Sequence, residues 1–423
     1  MSEARTTADT EGRLRLIADP GGKGACGDHI RSLTDSRSVF RWFRRLATLT
    51  TEPDRDVLRQ AIARETFETM LVKQHIGAIL ADAGYLELAA RMSRNVSGFM
   101  RAMRRTLYGE AMRGVTDHWT FAIGHMVVLA YLMKGQAAGV FDFDSMKVWN
   151  GKVANGFLWE QMTTLSADVE VVPYGSVFAD NHSSSNLEWV DGRFVDHFEA
   201  CGIVADRAGD AHGAILARPD PSHPALARFY AAVGFEPDDR IVTLHCREAG
   251  YRVNERHDLR NADVAAYLPA LAALVERGYR VVRLGDGSMT PLPAMEGVVD
   301  YAVSALKSAE LDVLLPAVAR FHIGSSSGLS LVPLLYATPC LFLNWYPFDL
   351  LPWGRQNWTV VKPVEALADR RRVVDRPTYA TLARMRERRL LNSLGYDARD
   401  LGADEVGRAV AGWLVERGAR ELV

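Results

Sequence analysis

Residues 324–328 read Gly-Ser-Ser-Ser-Gly, set between an apolar run ending at Ile323 and the helix-like segment LSLVPLLYA. The first amide N–H groups of a helix lack internal partners, and the helix dipole adds partial positive charge there. Gly324, Ser325, Ser326, Ser327 and Gly328 could therefore seat an anion, the glycines allowing close approach and the hydroxyls adding donors. The same residues would serve equally as an ordinary serine cap on a surface helix. No Gly-Lys-Ser/Thr follows, so the turn is not a Walker loop.

Two further apolar runs end in polar groups. His245-Cys246-Arg247-Glu248 closes RIVTLH, and Arg283-Leu284-Gly285-Asp286 closes YRVV. An arginine just past a strand can grip a diphosphate as a bidentate fork. Arg247 could instead pair with its neighbour Glu248. Arg260 and Asn261 open the next helical segment, where Asn261 also suits an N-cap. Three strand ends thus offer polar groups to one face, and their convergence is the argument for a nucleotide diphosphate.

Acid–base candidates lie upstream. Gly124 and His125 are expected in a turn between a strand and a helix, where His125 could take a proton from an acceptor hydroxyl or simply cap the helix. Glu248 is the other candidate base. Asp117 and His118 are expected at the far end of that strand. Asp142-Phe143-Asp144 has a metal-binding spacing, but the pattern is short and common by chance, so no metal ligand is assigned. There is no HExxH, no GxGxxG after a strand and no GxSxG, which argues against a zincin, a nicotinamide dehydrogenase and an α/β-hydrolase. Trp345, Tyr346, Trp353 and Trp358 could line a pocket or fill the core.

The elements that must position these groups follow from pattern. Segments 31–113 carry apolar residues at three- and four-residue spacing and read as a helical extension behind a polar, Gly-rich, mobile segment, 1–30. HWTFAIGHMVVLAYLMKGQAAGVFDF reads as strand, Gly-His turn, helix, strand, and VEVVP at 169–173 as another strand. Residues 180–198 read as a polar, aromatic loop that meets substrate. A helix between Pro-rich turns in 218–240 suits a domain boundary. Beyond Arg240, strands alternate with helices to Asn344, which means a parallel sheet covered on both faces. The fold class expected is α/β, with two doubly wound Rossmann-like domains, 114–235 and 236–400, after the helical extension. A final helix, 401–423, carries Val406, Val410, Trp413 and Leu414 on one face and is expected to pack across the domains.

Composition sets the outer bounds. At 423 residues and 48 % hydrophobic content the chain is long enough for two cores. A formal net charge of -2 gives no general attraction to nucleic acid or anionic membrane. The four cysteines are scattered without CxxC, which fits a reducing, cytoplasmic setting. The polar start does not read as a signal peptide, and the longest apolar run, Met126 to Met133, falls far short of the roughly 20 residues of a membrane helix. The arginine- and alanine-rich composition suits a high-GC bacterial genome.

The runs HCREAGY, RNADVAAYLPALAALVERGYRVVRLGD and VVDYAVSALKSAELDVLLPAVARFHIGSSSGLSLVPLLYATPCLFLN resemble a family of bacterial glycosyltransferases. The matching positions are His245, Arg247, Arg260, Asn261, Tyr267, Gly285, Asp300, Tyr301, Asp312, Gly324, Ser326, Gly328, Pro339 and Asn344, with Ile-Gly-His at 123–125 resembling the first βα turn. The resemblance spans about 115–420 and is specific in 240–345. Asp286 departs from it. It implies a GT-B fold, with donor nucleotide-sugar in the C-terminal half and acceptor in the N-terminal half. Taken with the strand-end reading above, this places His245, Arg247, Arg260, Asn261, Arg283, Gly285, Asp300, Tyr301 and the 324–328 turn at the donor and Gly124 and His125 at the acceptor, with Arg247 and either His125 or Glu248 expected to carry the chemistry. The His-x-Arg element is also similar to that of GDP-fucose O-fucosyltransferases, which hints at a GDP-sugar. The expected activity is metal-independent sugar transfer, with the nucleotide-sugar as co-substrate and no other cofactor. A sugar-nucleotide epimerase on the same frame and a non-catalytic nucleotide-sugar binding protein remain open at this point, as does the oligomeric state.

Overall fold

The structure, a computed structural model, describes residues 112–115, 118–141, 143–173, 187–191, 193–251, 258–347, 351–375, 378–379, 382 and 388–421. The expected segment 1–30 and nearly all of the expected helical extension lie outside them; Met112 and Arg113, assigned to that extension, sit in a strand. The chain divides into two compact units.

Among the described residues, the first unit takes in 112–115, 143–150, 170–173, 187–191 and 193–194. Strands β1 (Met112–Val115), β2 (Ser145–Asn150) and β3 (Val169–Pro173) form a sheet in that order, β1 parallel to β2. Strands β4 (Leu187–Val190) and β5 (Arg193–Asp196) pair within the region expected to be loop.

The second unit begins with helices α1 (His118–Phe121) and α2 (Ile123–Ala137). The strand expected around Trp119 is therefore helix, and Gly124-His125 lie in the first turn of α2 rather than in a strand-to-helix turn. Met126 to Met133 are all buried, so this stretch has neither alternation nor a one-sided stripe. An apolar run of that kind cannot be assigned by periodicity alone. The second strand expected at GVFDF likewise starts later, at Ser145. Next come α3 (Gly156–Met162), capped by Asn155 Oδ1 accepting from Leu158 N at 2.9 Å, then α4 (His197–Ala208) and α5 (Pro224–Val233).

The rest of the unit is built on β6 (Arg240–His245), β7 (Tyr279–Arg283), β8 (Val298–Val299), β9 (Phe321–Gly324), β10 (Cys340–Trp345) and β11 (Trp358–Val361). All neighbours in this sheet are parallel, in the spatial order β11-β10-β9-β6-β7-β8. Counting in chain order, that is the 3-2-1-4-5-6 arrangement of a Rossmann sheet, and the order reverses between β6 and β9. Helix α6 (Leu268–Glu276) links β6 to β7, and α7 (Leu311–Val318) precedes β9. Residues Leu329–Tyr336, expected to be helical, form a 3-10 helix; Pro333 sits mid-segment and supplies no N–H.

Alternation along β6 explains the double covering. Val242 and Leu244 face one core with Val281, Ile323, Leu341, α6 and the final helix α9 (Ala403–Glu421). Ile241 faces the other with Val282, Leu284, α5 and α7. Val406, Val410 and Trp413 of α9 are buried there, Trp413 edge-on to Phe321 at 6.1 Å and to Trp358 at 5.8 Å. The main contacts of this helix are with α6, the 3-10 turn Val264–Tyr267 and β10. Between sheet and α9, β12 (Val364–Ala366) pairs antiparallel with β13 (Tyr396–Ala398), and α8 (Arg388–Ser393) precedes β13.

Candidate functional site

The loops leaving β6 and β9 meet where the strand order reverses, the place where open parallel sheets bind ligands. They are stitched together. Ser325 N donates to His245 O at 3.0 Å, and Arg247 N donates to Ser325 Oγ at 2.8 Å. Ser326 Oγ accepts from Tyr346 N at the end of β10, and Ser326 O accepts from Arg260 Nε at 2.9 Å. The buried hydroxyls of Ser325 and Ser326 thus hold the chain after β6 and after β10, and the Ser326 carbonyl holds Arg260. Gly328 heads the 3-10 helix, which has no side-chain cap.

Arg247 is almost fully buried, at 6 % exposure. Its Nε donates to Asn261 Oδ1 at 3.1 Å and its carbonyl accepts from Ala262 N at 2.8 Å. Asn261 is not the helix cap expected of it. Asp263 performs that task, accepting from Ala265 N at 2.9 Å, and leaves Asn261 to fix the guanidinium. Arg260, Asn261, Arg247 and the serine turn are therefore one connected constellation.

Gly124 and Gly328 touch backbone to backbone. A Cβ on Gly124 would lie 2.5 Å from Gly328 Cα, and one on Gly328 would lie 2.6 Å from Gly124 N. The first turn of α2, which has no side-chain cap, abuts the first turn of the 3-10 helix. Two helix N-termini, with their unpartnered amides and positive dipole ends, converge here. His125, next in the chain, is exposed beside Trp119 at 5.7 Å between ring centroids.

His245 plays a different role from a cation. Its Nδ1 donates to Leu284 O at 3.1 Å, so the neutral ring presents Nε2 as an acceptor, and that atom is buried without a partner. Burial, reinforced by Arg283 and Arg247, pulls its pKa down to about 4, so the ring is neutral at pH 7. His322 on the adjacent strand shares this condition, its pKa drawn down to about 3 by burial and by His245.

Arg283 is fully buried between two carboxylates. Nη2 pairs with Glu248 Oε2 at 2.5 Å, and Nη1 reaches Asp300 Oδ1 and Oδ2 at 3.1 and 3.2 Å and Thr290 O at 2.8 Å. Glu248 Oε2 also accepts from Thr290 N, and Asp300 Oδ2 from Leu292 N. Glu248, Arg283 and Asp300 thus brace the loop after β7. Gly285 begins that loop where a Cβ would strike Met289 Sδ at 2.1 Å. Tyr301 lies in the core, its hydroxyl donating to Ser308 O at 3.0 Å and accepting from Ser308 N at 2.9 Å, with Phe229 edge-on at 5.8 Å. Two more positions of the sequence pattern form a staple: Asn344 Nδ2 donates to Tyr267 Oη at 3.0 Å, and its Oδ1 accepts from Leu401 N at 2.7 Å.

A hollow of about 420 Å³ opens at the ends of β6 and β7, lined by Glu248, Asn261, Ser288, Thr290, Arg388 and Asp400 among others. Another, of about 400 Å³, lies around Ala337 and Thr338 at the opening end of β10, away from the switch point. Trp353 lines that second hollow, while Trp345 and Tyr346 are buried and Trp358 packs against Trp413. Asp142 lies outside the described residues, and among those described no three His, Cys, Asp or Glu side chains gather in a metal-binding group. No described helix is long and apolar enough to cross a membrane.

Pattern reading did not find Lys362, which is fully buried just after β11. Its Nζ donates to Asn261 O and to Asp400 Oδ1, directly behind the residue that holds Arg247. A lone lysine beyond a strand carries no motif. The Gly124–Gly328 contact likewise joins positions 204 apart and has no local signature.

No protein-family model matches the chain, and no curated protein matches it. Solved structures of similar shape include the ADP-heptose LPS heptosyltransferase II of E. coli, at 13% identity and a TM-score of 0.40, covering 73% of this chain and 98% of that one. A family 9 glycosyl transferase from Veillonella parvula has 9% identity and a TM-score of 0.40, over 72% and 97%. The E. coli heptosyltransferase WaaC with ADP has 13% identity and a TM-score of 0.31, over 60% and 93%.

Proposed function

We propose that the chain is a glycosyltransferase that moves a sugar from a nucleotide-diphosphate sugar to a small-molecule or glycan acceptor. One observation carries the reading: Arg247, the serine turn and two uncapped helix N-termini converge at the switch point of a Rossmann sheet. Such a set suits a group with two adjacent negative charges.

In this reading the guanidinium of Arg247 and the amides at the starts of α2 and of the 3-10 helix, around Gly124 and Gly328, hold the diphosphate. They also stabilise the charge that grows on it as the glycosidic bond breaks. The hollow beside Asn261 and Glu248 takes the nucleoside. Glu248 is already engaged by Arg283 and Thr290 N, so the acceptor's proton goes to His125. No step requires a metal. His245, neutral and buried, contributes an acceptor atom rather than charge.

The test is Arg247→Ala assayed against a panel of UDP-, GDP-, ADP-, TDP- and CMP-sugars that first raise the melting temperature of the wild type. Turnover is expected to fall by two or more orders of magnitude with the circular-dichroism spectrum unchanged. Transfer at near wild-type rate would overturn the assignment.

A further inference from the structure

The loop 258–263, which presents Asn261 to Arg247, is pinned from behind by the C-terminal part of the chain. Asp258 Oδ2 accepts from Arg388 Nε at 2.8 Å, Asp263 N donates to Asp400 Oδ2 at 3.0 Å, and Lys362 Nζ donates to both Asn261 O and Asp400 Oδ1. Asp400 therefore bridges Lys362 and the N–H of Asp263. The Asn261 backbone is clamped by Lys362 while its side chain accepts from Arg247 Nε. Lys362 is fully buried, a place where an ammonium persists only when its donors are matched. A neutral residue would complete the sheet edge at lower cost, so packing alone does not account for a charge here.

We infer that Lys362 is a positioning residue for the anion site: with Asp400 it fixes the Asn261 backbone, and Asn261 then fixes the direction of the Arg247 guanidinium. This rests on the diphosphate reading above only for the identity of the ligand; the coupling between Lys362 and Arg247 belongs to the protein itself. A guanidinium fork loses most of its value to a diphosphate when its plane is free to turn. Lys362 thus acts on affinity without touching the ligand.

The experiment uses the full chain and inorganic pyrophosphate as probe, with wild type, Lys362→Met, Arg247→Ala and the double variant measured by calorimetry. Lys362→Met is expected to weaken pyrophosphate binding about tenfold in the presence of Arg247 and by less than twofold in its absence. Equal weakening in both backgrounds would mean general damage and would overturn the inference. So would unchanged binding in Lys362→Met alongside a loss in Arg247→Ala. The ligand-free protein gives a second readout, the solvent exchange of the Arg247 Nε–H by NMR, expected to quicken severalfold in Lys362→Met. Should Arg247→Ala leave pyrophosphate binding unchanged, the diphosphate reading fails and this exchange rate alone decides the inference; an unaltered rate sinks it. If Lys362→Met does not fold, Asp400→Asn replaces it in every arm, since it keeps an acceptor for the Asp263 N–H and removes the charge opposite Lys362.

Discussion

The backbone N–H of Arg247 donates to Ser325 Oγ across 2.8 Å, so the first strand's loop is held by the side chain of the fourth strand's loop. That bond sets the height of Arg247 over the turn it works beside. Ser325 is fully buried, and removing its hydroxyl leaves the Arg247 N–H without an acceptor. Ser325→Ala is expected to lower unfolding free energy by about 1–3 kcal/mol. Urea denaturation gives the stability. Pyrophosphate titration of the same variant is expected to show weaker binding, because the loop carrying the guanidinium loses its anchor.

The contact between Gly124 and Gly328 makes a second prediction. A methyl on either glycine would press into the other's backbone at 2.5–2.6 Å, and backbone cannot swing aside as a side chain can. Gly124→Ala and Gly328→Ala are each expected to cost about 1–3 kcal/mol or more, through overpacking that parts the two helix N-termini. Gly156→Ala is the control. Gly156 opens α3 with nothing within 4 Å of its would-be Cβ, so that change is expected to be neutral or slightly stabilising. Thermal unfolding of the three variants, with and without pyrophosphate, tests both the cost and its link to ligand.

The alternation of strand and helix beyond Arg240 was legible because each strand is a short apolar run and most have a glycine or proline close to an end, such as Gly278 and Gly285 around β7 and Pro339 before β10. The serine turn and Arg247 were legible because both sit at strand ends, which topology then brings side by side. Other features were not. The Met126–Met133 run is apolar on all sides, so its period is invisible and the strand placed before it was in fact helix. Asn261 looked like a cap because asparagine before a helix usually is one, yet Asp263 caps and Asn261 faces Arg247. Arg283 reads from sequence like Arg247, at the end of a strand. Only packing separates them: Arg283 is enclosed by Glu248 and Asp300.

That enclosure makes a third prediction. Replacing Arg283 with Met leaves two neighbouring carboxylates, Glu248 and Asp300, without their shared cation. Both are mostly buried, and breaking a buried pair by removing one partner costs about 3–5 kcal/mol. Arg283→Met is therefore expected to unfold at markedly lower urea than wild type. The triple change Arg283→Met, Glu248→Gln, Asp300→Asn is expected to recover a large part of that loss, because it removes the unpaired charges. Equal instability of the single and triple variants would mean that packing of the arginine stem, and not charge, holds the loop.

The buried histidines make stability depend on pH. His245 is held neutral with its pKa drawn down from the ordinary 6.5 to about 4, by burial first and by Arg283 and Arg247 after it. In the unfolded chain the same ring protonates near 6.5. Between pH 6.5 and about 4 the unfolded state therefore binds more protons than the folded one, and stability rises with pH. The contribution is complete above pH 6.5 and is lost progressively as pH falls towards 4, amounting to about 3 kcal/mol at most for this ring. His322 adds to the slope in the same direction and extends it to about pH 3. His245→Asn keeps an N–H for the Leu284 carbonyl and removes the titration. Unfolding free energies measured by urea from pH 4.5 to 8 are expected to climb less steeply below pH 6.5 in this variant than in wild type. Identical slopes would show that His245 accepts its proton as readily in the folded protein as in the unfolded chain.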